Sequence, residues 1–146
     1  MIEDFIETNK LNAQIVSFST TTPTIALIKN KVYNPKVFVE LHLFISKNQD
    51  EIITITPFGK KPDNEKIETI FGSELLEANE NECFELTGYK KNFLSAVSIY
   101  GVKIMVDSSL EGLNFLLMPV SEKSFLKIPL EEIFFNNEDV SFEKLI

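Results

Sequence analysis

Bulky apolar residues recur along this chain with two different spacings, and the changes of spacing mark its elements. Ile2, Phe5, Ile6 and Leu11 are placed as on one face of a helix. Ile15, Val16 and Phe18 then read as a strand over Gln14 to Ser19. Thr22-Pro23-Thr24 opens a second helix, with Thr22 as its cap and Pro23 in the first helical position. Ile25, Ile28 and Val32 form its apolar face, and Asn34-Pro35 ends it. From Lys36 to Ser46 the spacing changes to alternation, with many β-branched and aromatic residues. The polar turn Lys47-Asn48-Gln49-Asp50 and the Ile/Thr-rich run Glu51 to Thr56 complete a hairpin.

Asp63 or Asn64 can cap a helix carrying Ile67, Ile70 and Phe71, stopped by Gly72. Glu74 to Glu77 is too short to assign from pattern. Asn79 to Leu86 starts like a capped helix and runs into Thr87-Gly88. Strands follow at Val102 to Asp107, at Gly112 to Leu117 (ended by Pro119) and at Ser124 to Ile128. Pro129 to Ile133 forms a short helical turn, Asn136 to Asp139 is polar, and the last residues, with Phe142 and Leu145, either pack back or fray. No repeat, low-complexity tract or linker divides the chain, so residues 1–146 read as one α+β domain. Turn-linked strands favour a mixed, mostly antiparallel sheet or open barrel with flanking helices over a doubly wound parallel sheet.

Composition narrows the functional classes. With 146 residues, 44% of them hydrophobic and 25% charged, the chain can bury one sizeable core. No apolar run reaches the ~18 residues of a membrane span. Glu3 and Asp4 without a basic flank argue against a secretory signal, so the expectation is a cytoplasmic protein with no membrane partner. Cys83 is the single cysteine, which excludes an internal disulfide and a cysteine zinc cluster. Its acidic neighbours Glu82 and Glu85 do not favour a reactive thiolate. All 14 basic residues are lysines and the net charge is −8. Nucleic-acid affinity rests on cation–phosphate contacts, and arginine supplies the bidentate fork. A DNA partner or a broad tRNA-binding face is therefore not expected, although lysine pairs such as Lys60-Lys61 and Lys90-Lys91 leave room for contact with an acceptor end. Each such pair taken alone reads as solvated surface.

Chemistry-bearing residues are few. His42, the one histidine, lies in Phe38-Val39-Glu40-Leu41-His42-Leu43-Phe44, where alternation puts Glu40 and His42 on the same strand face. A carboxylate and an imidazole so placed can share a proton. A nucleophile would have to come from Cys83, Ser95 or water, and the plainer reading is a polar face on a half-exposed strand. One histidine with no acidic triplet gives no metal-ligand spacing, and no cofactor motif occurs.

The most specific words are Leu86-Thr87-Gly88-Tyr89, Asn92-Phe93-Leu94-Ser95-Ala96 and Ile104-Met105-Val106-Asp107-Ser108-Ser109-Leu110. Together they resemble the signature of the YbaK/prolyl-tRNA-synthetase-associated family, whose members hydrolyse mischarged aminoacyl-tRNA. In that family Thr-Gly-Tyr opens a G-x-x-x-P loop, and a Val-Asp-x-x-Leu strand follows. The order of elements is similar from about Ile15 to Ile133, whereas the motif itself covers only Leu86 to Asp107.

The resemblance implies a free-standing editing domain acting on the acceptor end of tRNA, with an aminoacyl-tRNA synthetase as a possible protein partner. It implies a backbone cradle lined by Gly88, Tyr89, Asn92, Phe93, Leu94, Ser95 and Ala96, with Asp107 at the family's acidic position also contacting substrate; His42 joins the expected contacting set from its place on the Glu40 face of the strand. Asn92 stands at the loop glycine, where it is expected to adopt the left-handed conformation asparagine tolerates, and Ala96 stands at the proline. The family's strand lysine, in a pattern like I-V-K-[ST]-L, falls on Glu40, a reversal of charge. Lys36, on the same strand parity, is the alternative if the alignment shifts by four residues. Glu40 and Lys36 are thus the expected catalytic positions. The stretch Leu117-Met118-Pro119-Val120-Ser121 lacks the glycine-rich turn that the family places there. These changes leave a second reading, a member without catalysis that binds a synthetase, another protein or an aminoacyl-like ligand.

Overall fold

A computed structural model describes residues 2–8, 10–18, 24, 33–97 and 99–146. Within them the chain runs α1 (Ile2–Thr8), β1 (Gln14–Ser17), a 3-10 turn (Pro35–Val37), β2 (Val39–Ser46), β3 (Glu51–Pro57), α2 (Asn64–Phe71), β4 (Leu75–Glu77) and α3 (Glu80–Thr87). A 3-10 turn (Lys91–Phe93), β5 (Lys103–Asp107), another 3-10 turn (Ser108–Leu110), β6 (Phe115–Ser121), β7 (Ser124–Pro129), α4 (Leu130–Asn136) and β8 (Asp139–Glu143) complete it. The helix expected from Thr22 to Val32 lies outside the described residues, apart from Thr24.

Two sheets face each other. One has the order β4-β2-β3-β5-β8, the other β1-β7-β6. β2 pairs antiparallel with β3 and β4, whereas β5 is parallel to both β3 and β8. The smaller sheet is antiparallel throughout. A parallel bridge from Phe38 to Leu117 links the sheets at one corner. The architecture is α+β with mixed, mostly antiparallel strands, as expected; the strands are divided between two sheets and do not close into a barrel.

The alternation along β2 divides its side chains between two environments. Val39, Leu41 and Leu43 enter the main core between the sheets, with Ile53, Ile55, Ile104, Val106, Leu116, Met118 and Leu126. Phe44, on the opposite face, packs with Ile52, Met105 and Leu75 beneath Ile67 of α2. Full burial of a side chain like Ile67 contributes about 1.5–3 kcal/mol, which anchors a helix of only eight residues. Phe38 joins Val37, Leu117 and Phe125 in an aromatic cluster at the bridged corner. Glu40 and His42 occupy the stretch between these two apolar clusters.

The local caps agree with the sequence. Asp63 caps α2 and Gly72 ends it at φ 90°. Asn79 and Glu82 form a reciprocal capping box on α3. Other expectations are corrected. Pro119 does not end its strand: β6 continues to Ser121 with a register shift after Pro119. The strand is at the edge of its sheet, where a missing N–H is tolerated. Of the two alternatives left open for the last residues, packing back holds: residues 139–143 form β8, which the pattern did not show, and Leu145 is fully buried. Lys36 sits in the 3-10 turn before β2, so it has no strand parity with Glu40.

Candidate functional site

A cleft of about 470 Å³ opens where β2, the Lys91–Phe93 turn and the β6–β7 hairpin converge. Glu40 and His42 project into it from β2, Lys91, Asn92, Phe93 and Leu94 come from the turn, and Glu122 lies on the hairpin side. Phe58 and Phe125 give it apolar walls.

The polar side of the cleft is an ordered chain of charges. Glu40 Oε2 lies 2.6 Å from His42 Nε2, and Glu40 Oε1 accepts the Gly59 N–H at 2.6 Å. Gly59 follows β3 with φ +84°, a conformation that glycine adopts without strain. On the other side of the imidazole, Nδ1 lies 3.0 Å from Glu77 Oε2. Glu77 is at the end of β4, opposite Phe44 in the ladder, so alternation puts it on the face that carries His42. Lys91 Nζ approaches the same Glu77 oxygen at 3.3 Å. His42 is 12% exposed and Glu40 23%, so the pair is sheltered yet reachable from solvent. Burial works to raise the Glu77 carboxyl, but bonds and charge from His42 and Lys91 outweigh it and hold Glu77 below the usual carboxylate range.

Beside this row, Thr56 pairs with Glu40 and Thr54 with His42 across the β2–β3 ladder. Both threonines are fully buried, and neither hydroxyl has a hydrogen-bond partner among the described residues. Among those residues no group of three His, Cys, Asp or Glu side chains is arranged to hold a metal ion.

The cleft collects only part of the expected site. Glu40, His42, Asn92, Phe93 and Leu94 come together, and Lys36, Gly88, Tyr89, Ser95, Ala96 and Asp107 do not line it. Lys36 is exposed, its N–H bonded to Asn34 Oδ1. Gly88 is the left-handed C-cap of α3, with φ 78° and its N–H on Phe84 O. The Thr87 hydroxyl donates to Cys83 O and accepts the Tyr89 N–H, and the Tyr89 hydroxyl donates to Val97 O at 2.7 Å. Burial, the dominant influence, pushes the Tyr89 phenol up to about 12, with Tyr100 adding to the rise and a Ser95 hydrogen bond opposing it. The Thr-Gly-Tyr word therefore ends a helix and anchors the segment behind the cleft.

Leu94, Ser95, Ala96 and Val97 are buried. Asn92 lies in the 3-10 turn and is not left-handed: Lys10 and Gln49 are the non-glycine residues with positive φ among those described. Asp107 is buried with both oxygens engaged, Oδ1 by the Leu145 N–H and Oδ2 by the N–H and hydroxyl of Ser109. Cys83 is buried, and desolvation pushes its thiol up. Sequence reasoning missed Glu77, Gly59 and Lys91 as members of the constellation. Lys91 carried a faint signal, a cation one residue from the altered loop position Asn92.

No family model and no curated protein sequence matches this chain. Solved structures do. The crystal structure of hypothetical protein APE2540 superposes with a TM-score of 0.82 at 16% identity, covering 97% of each chain. A candidate trans-editing enzyme for prolyl tRNA synthetase gives 0.82 at 16% identity, over 98% of this chain and 94% of that one. A scaffold from a study of epitope backbone grafting by computational design gives 0.82 at 15% identity over the same shares. The chain thus has the fold of these proteins, as the resemblance in its motifs implies.

Proposed function

We propose that this protein is an aminoacyl-ester hydrolase that removes amino acids from mischarged tRNA by engaging the acceptor end alone. One observation supports this reading above all. In a fold shared with a candidate trans-editing enzyme, a carboxylate–imidazole pair and a lysine line one cleft of about 470 Å³, beside the turn that carries the altered motif. The volume suits a terminal aminoacyl group, not a longer stretch of nucleic acid. With a net charge of −8, the chain gains no long-range attraction for the tRNA body.

In this reading the aminoacyl group enters between Glu40 and the apolar walls. The ester carbonyl faces Lys91 and the Asn92 amide, donors that stabilise the developing oxyanion. Water attacks the carbonyl carbon, the bond from that carbon to the ribose oxygen breaks, and the ribose oxygen takes up the proton. Positioning supplies most of the acceleration, as no nucleophile–base–orienter triad lines the cleft among the described residues. Incubation of concentrated protein with a panel of mischarged tRNAs tests the proposal through release of labelled amino acid. Release from at least one substrate, reduced in Lys91→Met, is the expected result; absence of release across the panel overturns it.

A second reading, a binding module without catalysis, is favoured by the occupancy of Glu40: its oxygens already bond His42 and Gly59, and Phe93 adds bulk beside them. Retention of intact aminoacyl-tRNA or of a synthetase on the immobilised protein, without hydrolysis, distinguishes it.

A further inference from the structure

We propose that Glu40 is the acceptor for a primary ammonium group carried next to an apolar side chain, so that the cleft selects α-aminoacyl groups with a free amine and a bulky apolar side chain. This deepens the hydrolase reading and rests on it for the identity of the ester.

The geometry of Glu40 carries the argument. Each of its oxygens has one partner, Oε1 the Gly59 N–H at 2.6 Å and Oε2 the His42 Nε2 at 2.6 Å. A carboxylate oxygen accepts two, so one acceptor site remains on each. The side chain is fixed by its two partners and is 23% exposed at the cleft, which leaves those sites reachable. A fixed, sheltered carboxylate bonds an ammonium more strongly than a solvated one does.

The surrounding charge favours a cation. Glu40 and Glu122 line the cleft, while the one lysine that lines it among the described residues, Lys91, is paired with Glu77. A phosphate or free carboxylate placed at Glu40 would meet like charge.

On its apolar side the same cleft is lined by Phe58, Phe93, Phe125 and Leu94. A ligand that meets both sides needs an ammonium and a hydrophobic group on adjacent atoms, which is the arrangement in an apolar α-amino acid whose carboxyl is esterified. A peptide α-amine titrates at about 7.7–8.0 and an ester lowers that value, so the group is held as an ammonium in slightly acidic solution.

Calorimetric titration with L-phenylalaninamide, N-acetyl-L-phenylalaninamide and n-butylamine tests this without hydrolysis, because an amide stands in for the ester. The expected result is that phenylalaninamide binds at least about tenfold more tightly than the acetylated probe, the loss of one charge-assisted hydrogen bond. Butylamine, which has no aryl group, binds more weakly than phenylalaninamide. In Glu40→Gln, of nearly the same shape, the two phenylalanine probes bind alike. Equal binding of these probes to the unaltered protein, a preference that survives Glu40→Gln, butylamine binding as tightly as phenylalaninamide, or no binding by any probe each overturns the inference. The two proposals fail separately. Binding with the expected preference but no release from any mischarged tRNA sinks only the hydrolase reading. Hydrolysis that ignores N-acetylation sinks only ammonium recognition.

Discussion

Glu40 Oε2 and His42 Nε2 lie 2.6 Å apart on one strand, and the other ring nitrogen of His42 lies 3.0 Å from Glu77. Both ring nitrogens thus face carboxylate oxygens, and a neutral imidazole donates through only one of them. His42 thereby holds the Glu40 carboxylate from the side, within the same cleft-lining row of β2.

Replacing His42 by Gln checks that role. A glutamine amide can donate to one carboxylate but not bridge two on opposite sides. The expected outcome is a fall in amino-acid release of about tenfold or more, the rate equivalent of one charge-assisted hydrogen bond. The thermal midpoint should shift by no more than a few degrees, because the apolar clusters on either side stay packed. Unchanged release with a lowered midpoint would make His42 a structural residue only.

Lys91→Met removes the ammonium and keeps the stem. Glu77 then loses the smaller of its two supports, and its titration midpoint, followed by carboxyl NMR, should rise from its lowered position toward the ordinary value. The sign for stability follows from that lowering. A depressed carboxyl adds stability above its unfolded value of about 4.3, and the contribution disappears as pH falls through the folded value. In Lys91→Met the contribution should be smaller and should be lost over a narrower window that ends at higher pH. A Glu77 midpoint that does not move would mean that the 3.3 Å contact is not populated in solution.

How much of this arrangement the sequence reveals depends on the range of the interactions. Caps are read from adjacent residues, so Asp63, Asn79, Gly72 and Gly88 could be identified as helix ends. Alternation along β2 is equally local and puts Glu40 and His42 on one face. The contact between His42 and Glu77 spans 35 residues and depends on β4 pairing beside β2, in a segment too short to show a period. β8 was missed for a related reason: its partner is β5, parallel and distant in sequence, and its pattern of partial burial gives no clean alternation. The motif resemblance found the fold but gave cradle positions to Gly88, Ser95 and Ala96, which hold the segment behind the cleft instead of lining it.

Gly88→Ala separates scaffold from site. Gly88 has φ 78°, which disfavours any residue with a Cβ, yet nothing stands within 4 Å of the added carbon. The penalty is therefore one of backbone conformation alone, about 1 kcal/mol, visible as a lower denaturation midpoint in urea. Release of amino acid by the folded fraction should be unchanged. A selective loss of activity at unchanged stability would return Gly88 to the substrate-contacting set.

Asp107→Asn tests the structural reading of the motif's acidic position. Burial alone would raise the Asp107 carboxyl, but hydrogen bonds from the Ser109 side chain and from the Leu145, Ser109 and Ile146 backbone outweigh it, and the group sits below its usual range. Oδ1 holds the Leu145 N–H at 2.9 Å, and the fully buried Leu145 packs with Phe44, Ile67 and Met105. Asparagine keeps one oxygen and turns an amide NH2 toward an existing donor, so the expected loss is about 2 kcal/mol. The depressed carboxyl contributes its full stability above the unfolded value of about 3.9 and loses it as pH falls through the folded value. The stability gap between the two proteins should accordingly be widest near neutral pH and narrow below pH ~4. Urea denaturation at a series of pH values measures it. A gap that does not change with pH would remove the charge of Asp107 from the explanation and leave only its shape, whereas a narrowing gap with unchanged release of amino acid identifies Asp107 as the clamp between β5 and the C-terminal segment.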